Sequence, residues 1–407
     1  MRKDIDVSND LHQLPLTGIR VLSFTHTIMG PAAGMILADL GAEVIHVEPP
    51  TGDPTRRLQG SGTGYFAYFN RNKKSLAVDL KVPEGREIIF KLIEKTDILI
   101  ENFGPRTMHR LGYDYSDAAA INPKLIYCSL KGFLPGPYEY RTATDEVAQM
   151  MSGLAFMTGP PGQPLRAGTS IIDITGGMFG VIGVLTALYD REKTGAGGFV
   201  KSSLFETAAF TMGQHMASAE LTEEPILPMP ARVSPWSVYQ RFETSDNDQV
   251  FIGLISEKHW ERFCIAFDRK DLLTDERLKT NNQRVRERDW LHPELEKMIR
   301  QLTKARVMEL CDKAGVCFAP IARPEDLFDD PHLTQGKFGL LETTLPTGKK
   351  AKLPRLPIQI GTCDFGISCD PPAKIGQDTR GLLLSLGYDK DVIDHLAKKG
   401  VIALGRR

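Results

Sequence analysis

The chain reads as an α/β protein: a large unit built on a parallel sheet, followed by a smaller α+β unit. Three observations point there. Through residue 221, strand-like runs alternate with stretches of helical length. A Pro-rich segment, "TEEPILPMPARVSP" (222–235), breaks that pattern, and beyond it paired strand-like runs give way to charged helices.

The elements follow in order. "GIRVLSF" (18–24) is a strand, and "HTIMGPAAGMILADLGAEVIHVEPP" continues as turn, helix, Gly41 and a second strand at 44–48, completing one βαβ unit. "EGREIIFKLIEKTDILIENF" repeats the pattern, with a helix over 84–95 and a strand over 97–101. "NPKLIYCSLKGF" adds a strand at 125–130. The near-continuous apolar run "GGMFGVIGVLTALYDR" (176–191) predicts a buried helix stopped by "EKTGAGG", and 198–221 predicts a short strand and another helix. Runs this apolar suit a parallel sheet covered on both faces.

These readings give three segments. Residues 1–224 form the first part of the large domain, and 225–330 form a small α+β domain with a two-stranded pattern, "SVYQRFETSDNDQVFIGLI". Residues 331–407 return to strand, turn and short helix.

At 407 residues, 42% hydrophobic, 25% charged and with a net charge of −1, the composition is that of a globular protein. Nothing in it points to nucleic acid or to an anionic membrane surface. The start, "MRKDIDVSNDLHQLPLTGIR", lacks the apolar segment of a signal peptide, and no uninterrupted apolar run approaches the ~20 residues of a membrane span. A cytoplasmic location is expected. Cysteines 128, 264, 311, 317, 363 and 369 form no CxxC pair or zinc spacing, which predicts reduced structural thiols and no metal.

Asp173, in "GTSIIDITGGMFG" (168–180), is a charge set immediately before the long apolar run. Its plainest reading is an N-cap, because a carboxylate there accepts bonds from the unpaired amides of a first helical turn. The glycines after the first strand lack GxGxxG spacing, and no GxxxxGK[ST], HExxH or GxSxG occurs. "NRNKKSLAVDLK" (70–81) holds four bases, and "ENFGPRTMHRLGY" (101–113) adds Arg106, His109 and Arg110 beyond a strand. A run of bases is commonly just solvated, but two such runs at the carboxyl edge of a parallel sheet suit a polyanionic ligand. Of the histidines, His26 lies in the block that the first turn contributes, while His46, His215 and His259 read as packing or surface residues.

Five ordered blocks carry a wider resemblance. They are "LPLTGIRVLSFTHTIMGPAAGMILADLGAEVIHVEPPTGDPTR", the block from "NRNKKSLAVDLK" through "RLGYDY", "NPKLIYCSLKGF", the block from "GTSIIDITGG" through "KTGAGG", and "IGQDTRGLLLSLGYDKDVIDHLAKKGVI". Together they resemble the family III CoA-transferases (CaiB/BaiF type), the group of formyl-CoA transferase and crotonobetainyl-CoA:carnitine CoA-transferase.

The resemblance implies a Rossmann-like large domain built from both ends of the chain, a small middle domain and an interlocked homodimer. It also implies that Asp173 attacks the acyl-CoA thioester, with coenzyme A as substrate and no permanently bound cofactor. Lys81, Asn102, Phe103 and Arg110 match coenzyme A contacts, Leu111 is a similar apolar match, and Val78 fits an apolar wall. Gly176 and Gly177 would let substrate approach. Ile28 stands where formyl-CoA transferase has a glutamine, and Pro49 where it has an arginine. Thr144 replaces the histidine that a related racemase places before an aspartate, which disfavours racemisation. His26, Ile28 and Thr144 are expected around the substrate, with Arg232 in "PMPARVSPWSVYQRF" available to a second carboxylate, walled by Trp236 and Tyr239.

The expected activity is CoA transfer from an acyl-CoA donor, succinyl-CoA foremost, to a carboxylic acid. Malate, citramalate, mesaconate, itaconate or an aromatic succinate are the acceptors considered. Three alternatives stay open: a 2-methylacyl-CoA racemase or epimerase, a CoA-binding subunit working with a paralogue, and an NAD-dependent oxidoreductase.

Overall fold

A computed structural model describes residues 14–405, so the opening segment read above lies mostly outside the described residues. The described chain divides into two compact units: residues up to Pro230 together with those from Gln335 onward, and Ala231–Thr334.

The first unit is built on β1 (Arg20–Phe24), β2 (Glu43–Glu48), β3 (Lys73–Val78), β4 (Ile98–Glu101), β5 (Ile126–Lys131) and β6 (Gly198–Ser203). These six strands pair parallel with one another, setting for instance Val21 against both Val44 and Ile98. Along β1, alternate residues feed opposite faces of the sheet. Val21 joins one core with Met29, Leu37, Val181 and Val184, and Leu22 the other with Ile88, Leu92, Leu383 and Ile393. Each such buried aliphatic side chain contributes ~1.5–3 kcal/mol. Helices therefore cover both faces: Met29–Asp39 and Ile171–Thr194 on one, Pro83–Ile93, Thr379–Ser385 and Lys390–Lys398 on the other.

The Ile171–Thr194 helix departs from expectation in two ways. It starts ahead of the expected 176, so Asp173 lies inside its first turn rather than before it. Gly176 and Gly177 do not break it, because packing against the neighbouring helix requires small residues there. The helix is also not buried all round, since Met178, Phe179, Ile182, Leu185 and Tyr189 are exposed. By length and composition it is long and apolar enough to cross a membrane, although Asp173 interrupts its apolar run. Here it lies against the sheet.

The second unit carries an antiparallel sheet of β7 (Val238–Glu243), β8 (Gln249–Leu254) and β9 (Cys317–Pro320). Its own core gathers Phe242, Ile252, Trp260, Phe263, Leu291 and Leu295.

Back in the first unit, β10 (Leu340–Thr344) and β11 (Lys350–Pro354) form a hairpin, and β12 (Ile402–Ala403) pairs antiparallel with β3. The sheet order is thus β12-β3-β2-β1-β4-β5-β6, which reverses direction between β1 and β4. In such sheets the crevice at the reversal, outside the carboxyl ends of the strands, takes the ligand.

Candidate active site

At that crevice the turn after β1 faces the turn after β4. Asn102 joins them, since its Oδ1 accepts from His26 N at 3.0 Å and its Nδ2 donates to His26 O at 2.9 Å. The His26 ring stacks on Phe103 with centroids 5.8 Å apart, and its Nδ1 lies 2.8 Å from Thr27 Oγ1. Thr27 has φ of +67°, a conformation rare for a β-branched residue and costing ~1–3 kcal/mol. Burial lowers the His26 pKa, against an opposing pull from Asp53.

Two cavities meet here. The larger, about 730 Å³, is lined by residues that include Thr25, Pro49, Val78, Lys81, Thr107 and Leu111. The smaller, about 180 Å³, is lined among others by Asn102, Lys131, Arg141, Thr144, Asp145 and Asp173. His26, Phe103 and Gly104 line both.

Asp173 is half-buried, and among the described residues its carboxylate has no hydrogen-bond partner. Burial, reinforced by the nearby Asp145 carboxylate and opposed by Arg166, pushes its pKa up to about 7. The cap role expected of Asp173 belongs to Asp145. Asp145 Oδ2 accepts from Ile172 N at 2.8 Å and Asp173 N at 3.0 Å, while Gln149 Nε2 donates to Oδ1. Those two first-turn amides are therefore committed to Asp145 and not to a substrate oxyanion.

Other expected residues are placed less uniformly. Lys81 and Leu111 line the larger cavity, and Val78 is both cavity wall and core. Arg110 is exposed on the same segment, donating to Thr107 Oγ1 at 3.1 Å. Thr144 is exposed at the start of the Asp145–Ser152 helix.

Three expectations are corrected. Ile28 is 3% exposed, packed with Ala32, Met35 and Phe69, because the positive φ at Thr27 turns the chain inward there. Gly176 and Gly177 face protein, not substrate: a Cβ on Gly177 would lie 2.6 Å from Met29 O, and one on Gly176 2.7 Å from Met29 Cε. The basic run at 70–81 is chiefly structural. Arg71 is buried on Asp39, Nη2 to Oδ2 at 2.7 Å, and Lys74 pairs with Glu43. Lys73, its pKa lowered to about 7 by burial, donates to Pro31 O and Asn70 Oδ1 at 2.9 Å each.

Arg232 belongs to the second unit, where Trp236 and Tyr239 are exposed and Tyr239 packs edge-on to Phe251. Sequence reasoning missed Arg141 in the cavity of Asp173. The only signal for it was its place four residues before Asp145.

Comparison with known proteins defines the class first. Over 396 residues, 95% of this chain and 90% of the relative, the sequence is 32% identical to the succinyl-CoA:glutarate CoA-transferase of Mus musculus. Over 323 residues, 75% of this chain and 80% of the relative, it is 36% identical to the acetyl-CoA:oxalate CoA-transferase of Acetobacter aceti. Such matches make it a CoA-transferase. The chain belongs to CoA-transferase family III, whose family model matches residues 16–379. The crystal structure of a CAIB/BAIF family protein from Brucella suis superimposes with a TM-score of 0.81 at 30% identity, covering 92% of this chain and 100% of that one.

Proposed function

We propose that this protein moves coenzyme A from succinyl-CoA or a similar acyl-CoA to a small dicarboxylate, with Asp173 as nucleophile. The observation that carries this reading is a half-buried carboxylate, without a hydrogen-bond partner among the described residues, in a small cavity that shares walls with a groove of about 730 Å³. The donors and acceptors in the relatives' names, succinyl-CoA, acetyl-CoA, glutarate and oxalate, support the substrate class.

Lys81 in the groove and Arg110, exposed between the lining residues Thr107 and Leu111, would meet the phosphates, while Val78, Phe103 and Leu111 form apolar walls. Asn102 would hold the turn that presents the thioester. The ionised Asp173 oxygen attacks the thioester carbonyl; the C–S bond breaks, giving a mixed anhydride and CoA thiolate. The thiolate then attacks the aspartyl carbonyl, releasing the donor's acid and leaving CoA on Asp173 as a thioester. The incoming carboxylate repeats the two steps in reverse, which regenerates the Asp173 carboxylate. Coenzyme A enters as substrate, and every proton and electron pair is accounted for without a further cofactor. His26 and Thr144 would border the acyl group.

An interlocked homodimer is part of this reading. Its support is the apolar outer face of the Ile171–Thr194 and Leu204–Thr222 helices, where Ile182, Phe210 and Met216 are 56%, 73% and 63% exposed.

Trapping tests the nucleophile. Incubation with succinyl-CoA and hydroxylamine or borohydride, followed by peptide mass spectrometry, should place the modification on Asp173. Full transfer activity in Asp173→Ala would overturn the assignment.

A further inference from the structure

A dicarboxylate that presents one end to Asp173 brings a second charge into a partly desolvated cavity, where an unpaired carboxylate is costly. The cavity therefore needs a free cation. Three of its lining residues can carry positive charge: His26, Lys131 and Arg141. Lys131 is already committed, its Nζ donating to Glu101 Oε2 and to Phe103 O at 2.6 Å each. His26 is bonded through Nδ1 to Thr27 and stacked on Phe103.

Arg141 differs from both. Among the described residues its guanidinium has no carboxylate partner, and its one aromatic neighbour is the Tyr138 ring at 5.6 Å. Its backbone is fixed, with Arg141 N donating to Tyr138 O at 2.8 Å. Four residues on, Asp145 binds the amide of Asp173 itself, so one short segment carries both the cation and the anchor of the carboxylate. Arg166, the next cation toward Asp145, is engaged by Glu146 at 2.8 Å.

We propose that Arg141 selects dicarboxylates, its guanidinium forking onto the far carboxylate of the acid whose near carboxylate meets Asp173. This inference rests on the CoA-transfer reading above. Arginine suits the task because its planar donor pair matches a carboxylate bidentately and keeps its charge at any working pH. It places in the first unit the role expected above of Arg232.

The test compares glutarate with butyrate, acids that differ by the far carboxylate, as acceptors from succinyl-CoA. In Arg141→Gln the ratio of kcat/KM for glutarate over butyrate should fall about tenfold or more, carried mainly by KM, and Arg141→Lys should recover part of it. Thermal melting checks that the variants fold. A ratio within about twofold of wild type overturns the proposal while leaving CoA transfer intact. Should wild type transfer CoA to neither acid, that reading fails instead. Calorimetric binding of glutarate to the CoA-loaded wild type and Arg141→Gln then decides the role of Arg141: weaker binding in the variant supports it, and equal binding overturns it.

Discussion

Asp145 holds Asp173 by the backbone while opposing it by charge. Its Oδ2 accepts from Asp173 N at 3.0 Å, and its carboxylate helps burial raise the pKa of the same residue to about 7. One side chain thus fixes the helix end and makes the reactive group a stronger base than a solvated carboxylate.

The pH profile of wild type should show this. A nucleophile must be ionised, so kcat/KM should fall about tenfold per pH unit below about 7 and level off above it. A profile flat from pH 5 upward would remove the ionisation of Asp173 from the rate.

Stability should carry the opposite sign. A carboxyl with a folded pKa above its unfolded value of 3.8 binds its proton more tightly in the native state, so it costs stability as pH rises from there to about 7. Asp173→Asn should be about 1–3 kcal/mol more stable than wild type at pH 8, with the gain shrinking toward pH 4. Urea denaturation at several pH values measures it.

Asp145→Asn separates the two roles of that residue. The amide oxygen can still accept the helix amides, but its NH2 replaces the oxygen that accepts from Gln149 Nε2, so the variant should lose about 1–3 kcal/mol, while the acid limb of the kcat/KM profile moves to lower pH. An unmoved limb would leave Asp145 a cap and nothing more.

The paired glycines should respond unequally. Gly177→Ala drives a Cβ onto Met29 O, a backbone atom that cannot step aside, and should cost about 1–3 kcal/mol. Gly176→Ala meets the flexible end of Met29 and should cost less. Chemical denaturation of the two variants gives the comparison.

Arg71 and Lys81 test the division of the basic run. Arg71→Ala strands the buried Asp39 carboxylate and should destabilise by about 3–5 kcal/mol. Lys81→Ala should leave stability within about 0.5 kcal/mol and raise KM for the acyl-CoA severalfold.

Much of the fold was legible because β1, β2, β4 and β5 carry apolar side chains on both faces, and the glycines and charges between them mark the turns. Strand β9 was not: "CFAP" is short, mostly exposed and ends in proline. In the site, Asn102, Phe103, Thr144 and Asp173 line one cavity. What escaped depends on partners far along the chain. Asp145 caps a helix 28 residues away, and Arg71 is neutralised by Asp39 at a separation of 32. Counting charges in a window shows neither.

The return of the chain to β3 sets an order for synthesis. Asn72 Oδ1 waits for the amides of Ser368 and Cys369, at separations of 296 and 297, and β3 waits for β12. Translation at roughly 5–20 residues per second makes that delay on the order of tens of seconds. Residues 231–334 are contiguous and own their core, so they can fold as they emerge. The nascent large unit meanwhile carries a bare strand edge at β3, open to pairing with another chain until β12 arrives.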